Sequence, residues 1–157
     1  MKDIQNVIAA ANIRYDKDSE TLFIIDQTLL PGEEREIPLE TAEEMYEAIK
    51  ALRVRGAPAI GICAAYCLYV LSRSIPEGED FQARLEAYAD YLVSARPTAV
   101  NLSWAARAMV ETARAHREEP RKAVLEALYE KAVAIHRDDI EKCTAISEYG
   151  LTLVKDG

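Results

Sequence analysis

The sequence predicts a mainly α-helical fold, with a small antiparallel β meander at the amino terminus and a bundle of about five or six helices after it. Three observations predict it. The first forty residues carry short β-rich runs between polar segments and a Pro-Gly turn. Thr41 and Glu44 form a capping-box pair that announces a helix. From there on, apolar residues recur at helical spacing.

The elements follow in order. Thr21-Leu22-Phe23-Ile24-Ile25-Asp26 is β-rich and reads as a strand, Leu29-Leu30-Pro31-Gly32-Glu33 as a turn, and Glu34 to Leu39 as a second strand. The capping box opens a first helix whose stripe is Met45, Ile49 and Leu52, ending near Arg53 before Gly56. The second helix runs from Ala57 to about Ser74 and is apolar on nearly all sides, so it belongs in the core. A third covers roughly Asp80 to Ala95. A fourth follows Arg96-Pro97-Thr98 and reaches about His116, with Thr98 as its expected N-cap. A fifth begins near Pro120 and carries Val124, Leu128 and Ala132; a break is expected near Asp138, and a further helical stretch reaches about Tyr149. In domain terms, residues 1–40 form the meander and residues 41–157 the helical part of one unit.

Composition narrows the function. The chain has 157 residues, enough for one domain with a core, and a net charge of −8 that argues against a nucleic-acid partner. The longest apolar run, Ala57 to Leu71, falls short of the ~18–20 residues of a membrane span, so no membrane partner is expected. The cysteines are Cys63, Cys67 and Cys143; their odd number and the lack of a CxxC pair predict free thiols in a reducing, cytoplasmic setting. Cys63 and Cys67 read as small core residues, and no metal or cofactor is expected. P-loop, dinucleotide and nucleophile-elbow motifs are missing from the sequence. His116 and His136 read as surface residues, Asp138-Asp139 as a solvated face, Trp104 as core, and Tyr66 and Tyr69 as edge-of-core residues with a hydrogen bond each.

Two stretches point to an anion. In Arg53-Val54-Arg55-Gly56-Ala57-Pro58-Ala59-Ile60-Gly61, an arginine and a glycine precede a helix whose second residue is proline. The first turn of such a helix leaves backbone N–H groups unpaired and partly positive. Arg55 adds a fork-shaped permanent charge suited to phosphate, and Gly56 permits close approach. Ser94-Ala95-Arg96-Pro97-Thr98-Ala99-Val100-Asn101-Leu102 repeats the pattern with Arg96. The bland alternative is a pair of helix starts with solvated arginines. Convergence of the two stretches would favour an anion site.

Both stretches resemble the signatures of methylthioribose-1-phosphate isomerases, a family related to the alpha, beta and delta subunits of initiation factor two-B. Asp26-Gln27-Thr28-Leu29-Leu30-Pro31-Gly32 and Ile146-Ser147-Glu148-Tyr149-Gly150-Leu151 resemble further family segments, in family order. The resemblance implies the amino-terminal domain of an enzyme that converts methylthioribose 1-phosphate to methylthioribulose 1-phosphate in methionine salvage. It implies a substrate-phosphate role for Arg55, Gly56, Ala57 and Arg96. It places the family's catalytic cysteine and aspartate in a Rossmann-like carboxy-terminal domain, so this stretch is expected to be inactive alone, to have no catalytic residue of its own, and to partner that domain, a sugar phosphate and, in a homodimer, a second copy of itself. A ribose-1,5-bisphosphate isomerase-like domain and a non-catalytic regulatory or assembly module of the initiation-factor type are the alternatives. Exposed apolar surface and self-association are expected of an isolated half.

Overall fold

The computed structural model describes residues 12–154. Three strands, β1 (Ile13–Asp16), β2 (Thr21–Ile25) and β3 (Glu36–Leu39), form an antiparallel sheet with β2 in the middle. Leu22 and Ile24 of β2 point into the core while their neighbours do not, the period-two alternation of a one-sided sheet. Pro38 of β3, an edge strand where a missing N–H is tolerated, pairs with Phe23 of β2. The turn between β2 and β3 follows the expected Pro-Gly segment; β1 is an additional strand that opens the sheet.

Five helices follow among the described residues: α1 (Ala42–Lys50), α2 (Ala57–Arg73), α3 (Phe81–Ser94), α4 (Val100–Ala115) and α5 (Arg121–Leu151). The mainly helical fold with its small meander is therefore as the sequence predicts. Helix α1 begins with the predicted capping box: Thr41 accepts from the Glu44 amide, and Glu44 accepts from the Thr41 amide. It ends in a Schellman motif, with the Arg53 amide donating to Ala48 and the Leu52 amide to Ile49. Leu52 takes the left-handed conformation there, at φ 61°, where glycine is usual.

Helix α2 is the axle of the molecule. Cys63, Ala64, Ala65, Cys67 and Leu68 are fully buried, and the other helices and the sheet pack around it. One continuous core joins Ile13, Leu22, Ile24 and Leu39 of the sheet to the helices.

Four expectations need correction. No break occurs near Asp138: α5 is one helix of 31 residues, ~46 Å long at 1.5 Å per residue. Asp138 instead pairs with Lys142 one turn on, at 2.6 Å, a spacing that supports a helix. Thr98 is exposed and Ala99 is the N-cap of α4, so that helix has no side-chain cap. Trp104 is 50% exposed, because it lies off the buried α4 stripe of Leu102, Ala105, Ala106 and Met109. His136 is a core residue, 4% exposed, with its Nδ1 3.3 Å from the Tyr66 hydroxyl. It continues the buried α5 stripe Val124, Leu128, Ala132 in steps of four. His116 lies at the surface beside Glu119.

Candidate anion-binding site

The helices differ in how their first turns are satisfied. α1 uses Thr41 and Glu44, and α3 uses Asp80, whose carboxylate accepts from the Ala83 amide at 3.0 Å. α2 and α4 have no side-chain cap and no acidic residue in the first turn. Their leading N–H groups remain available to an outside acceptor. α5 also lacks a side-chain cap, but Arg121 at its first position is committed elsewhere: it donates to the Ser72 and Ile75 carbonyls and lies over the Phe81 ring.

The open starts of α2 and α4 lie against one another. Gly61, in the second turn of α2, sits so close to the first turn of α4 that a Cβ there would come within 2.9 Å of the Asn101 carbonyl oxygen. Only a residue without a side chain permits this approach. A groove of about 380 Å³ opens between the two helices, with Pro58, Gly61, Val100, Asn101 and Trp104 along it. Helix α5 closes the far side with Ile135, Asp138, Asp139 and Lys142. Asp138 and Asp139, read from sequence as a solvated face, therefore border this groove.

The four residues named from the sequence lie at or just before the starts of α2 and α4, not on the groove wall. Gly56 is the N-cap of α2 at φ 98°, ψ 133°, a backbone conformation that glycine alone adopts readily. Its carbonyl accepts the first helical bond, from the Ile60 amide. Arg55 precedes it and is exposed; Ala57 is the first helical residue. Arg96 is half-buried in the α3–α4 turn, its carbonyl bonded to the Ala99 amide at 3.0 Å. Neither arginine has an ion pair among the described residues, whereas Arg14, Arg35, Arg53, Arg73, Arg84, Arg114 and Arg117 each pair with a carboxylate. A second groove, beside Phe81, Gln82, Arg117 and Arg121, differs in this respect: both of its arginines are engaged within the protein. Its one loose end is the Gln82 Oε1 acceptor, buried without a partner.

The loop carrying Arg55 is tied to the sheet. Asp26 is 3% exposed and receives Arg53 Nη1 at 2.5 Å, the Thr28 hydroxyl at 2.6 Å and the Thr28 amide at 3.0 Å. Burial pushes the Asp26 carboxyl upward, but the Thr28 and Arg53 hydrogen bonds and the Arg53 charge outweigh it, leaving the pKa below the usual carboxylate value. Sequence reading found no role for Asp26, because its partner lies 27 positions away.

Over residues 53–157 the chain matches IF-2B, the initiation factor 2 subunit family. The chain belongs to this family. It is 45% identical over 147 residues to a 5-deoxyribose 1-phosphate isomerase of Clostridium botulinum, covering 92% of this chain and 42% of the relative. A methylthioribose-1-phosphate isomerase of Symbiobacterium thermophilum is 46% identical over 147 residues, covering 92% and 41%. Among solved structures, the 5-methylthioribose 1-phosphate isomerase of Pyrococcus horikoshii superposes with a TM-score of 0.86 at 30% identity, over 93% of this chain and 41% of that one. The delta subunit of translation initiation factor eIF-2B from A. fulgidus superposes at 0.83 and 34% identity, over 93% and 42%. The chain thus spans about two-fifths of the length of these relatives. One fold serves both an isomerase and a translation factor, so the fold alone does not choose between them.

Proposed function

We propose that this chain supplies the phosphate-holding part of an aldose–ketose isomerase whose substrate is methylthioribose 1-phosphate, in methionine salvage. Arg55 and Arg96 neutralise the phosphate, while Gly56, Ala57 and the open first turns of α2 and α4 donate backbone N–H groups to its oxygens. The observation that carries the reading is the pairing of two uncapped helix starts, each led in by an arginine with no ion pair among the described residues. Two helix starts and two guanidinium forks suit a dianion held from several sides. The likeness to enzymes that act on 1-phosphates of five-carbon sugars supports it.

Isomerisation also needs a positioned acid and base within hydrogen-bond reach of the sugar carbons. No such role is assigned to a described residue here. In a protein built like the relatives, that chemistry belongs to the length this chain does not span. A cytoplasmic setting fits the three free cysteines, and no helix of the described residues is long and apolar enough to cross a membrane.

Calorimetric titration tests the reading. Methylthioribose 1-phosphate is expected to bind, and an Arg55→Ala, Arg96→Ala double variant to weaken that binding by about 100-fold or more, on the scale of two charge-assisted contacts. Titration with 5-deoxyribose 1-phosphate separates the two substrates named among the relatives, which differ at C5. The superposition on the eIF-2B delta subunit favours a second reading, a non-catalytic assembly module. No heat from either sugar phosphate would point there.

A further inference from the structure

We infer that Asp26 is a positioning residue: it clamps the Arg53–Gly56 loop so that Arg55 and the start of α2 are held ready for the phosphate. The inference rests on the phosphate reading above, and it adds a residue directly after β2, far in sequence from either arginine motif.

The loop leaves α1 in a costly way. Leu52 adopts φ 61°, a left-handed conformation that side-chain-bearing residues avoid. Four residues later Gly56 takes φ 98°. A backbone with two unusual conformations in five residues persists only when its surroundings over-determine it. The surroundings here are specific. The Arg53 and Val54 amides both donate to the Ala48 carbonyl, and the Gln27 amide donates to the Arg53 carbonyl at 2.9 Å. Val54 is fully buried and acts as a plug under the loop. The Arg53 guanidinium is shared: Nε and Nη2 hold Glu47 at 2.7 and 3.0 Å, and Nη1 holds Asp26.

These two carboxylates are not equivalent. Glu47 is half exposed, so water competes for it and screens its charge. Asp26 is almost wholly buried, and among the described residues every hydrogen bond its carboxylate accepts comes from Thr28 or Arg53. Removing its charge leaves a half-buried guanidinium facing a neutral amide in the low-dielectric side of the pair, while the exposed side stays intact. Asp26 therefore decides where Arg53 sits, and Arg53 decides the path of the two residues that follow. Through this route the sheet sets the direction from which Arg55 reaches an anion.

The experiment compares Asp26→Asn and Glu47→Gln in the 157-residue chain by two readouts: amide hydrogen exchange, and calorimetric titration with methylthioribose 1-phosphate. In Asp26→Asn, exchange at the Gln27, Arg53 and Val54 amides is expected to quicken by about tenfold or more, with Leu68 in the core of α2 unchanged, and affinity to fall by about tenfold. Glu47→Gln is expected to leave both close to wild type. Unchanged exchange at those three amides overturns the clamp whatever the ligand does. Faster exchange with unchanged affinity overturns its positioning role. Equal effects in the two variants overturn the assignment to Asp26. Failure of wild type to bind, or binding indifferent to Arg55→Ala, tells against the phosphate reading instead, and the exchange result still decides the clamp.

Discussion

Helices α1 and α4 start in opposite ways. α1 closes its first turn with its own side chains, Thr41 and Glu44 satisfying each other's backbone partners. α4 begins at Ala99 with no side-chain cap, although a threonine stands one position earlier. A capped start contributes about 1 kcal/mol to a helix, so the open start forgoes stability. What it retains is a set of free donors beside another open start, that of α2. The difference is between a start closed by its own residues and a start whose donors stay open to an outside acceptor.

Four experiments can break or sharpen this contrast. The largest effect is expected from Gly61→Ala. Its Cβ would meet the Asn101 carbonyl oxygen at 2.9 Å, so α2 and α4 must separate, at a cost of about 1–3 kcal/mol in stability and with loss of sugar-phosphate binding. Thermal melting and titration read the two effects; a variant as stable as wild type would mean that the two starts are not held tightly. Next comes Thr41→Ala, expected to cost about 1 kcal/mol in denaturant unfolding while leaving sugar-phosphate affinity untouched. Ala99→Asp is the mirror experiment. A carboxylate at this extended N-cap position should stabilise the chain by about 0.5–1 kcal/mol yet weaken anion binding, because it occupies the same N–H groups. Stabilisation with full affinity would sever the link between open starts and ligand.

The smallest effect concerns pH. Burial holds the His136 pKa below its ordinary value, with Asp139 pulling weakly the other way. The unfolded chain therefore takes up a proton at a higher pH than the folded one. The stability held in neutral His136 is full above about pH 6.5 and declines as pH falls from there toward the folded value. The melting temperature should drop modestly on acidification from neutrality, and His136→Gln should flatten that slope. An equal slope in both proteins would show that His136 does not titrate differently on folding.

Local patterns were legible in the sequence, and long-range ones were not. The capping box at Thr41, the all-apolar α2 and the arginine-led starts of α2 and α4 all lie within a few consecutive residues, where spacing alone carries the physics. His136 was also legible in principle, since steps of four from Val124 lead to it; a charged neighbourhood hid the stripe. Trp104 misled because a large aromatic is usually buried, whereas its register on α4 places it beside the groove. Two adjacent aspartates hid the continuity of α5 past Asp138, where the helix runs on and Lys142 pairs with Asp138 one turn away. The contact of Gly61 with Asn101 and that of Asp26 with Arg53 join residues 40 and 27 positions apart, and no local pattern encodes either.

Trp104 has one more consequence. It is the sole tryptophan of the chain, and it stands half in water on the rim of the groove between α2 and α4. Excited at the red edge, where the eight tyrosines absorb little, its emission comes from that one place. A ligand that covers the indole displaces water from it and moves the spectrum to the blue. The protein carries its own optical gauge of groove occupancy, needing neither label nor engineered probe.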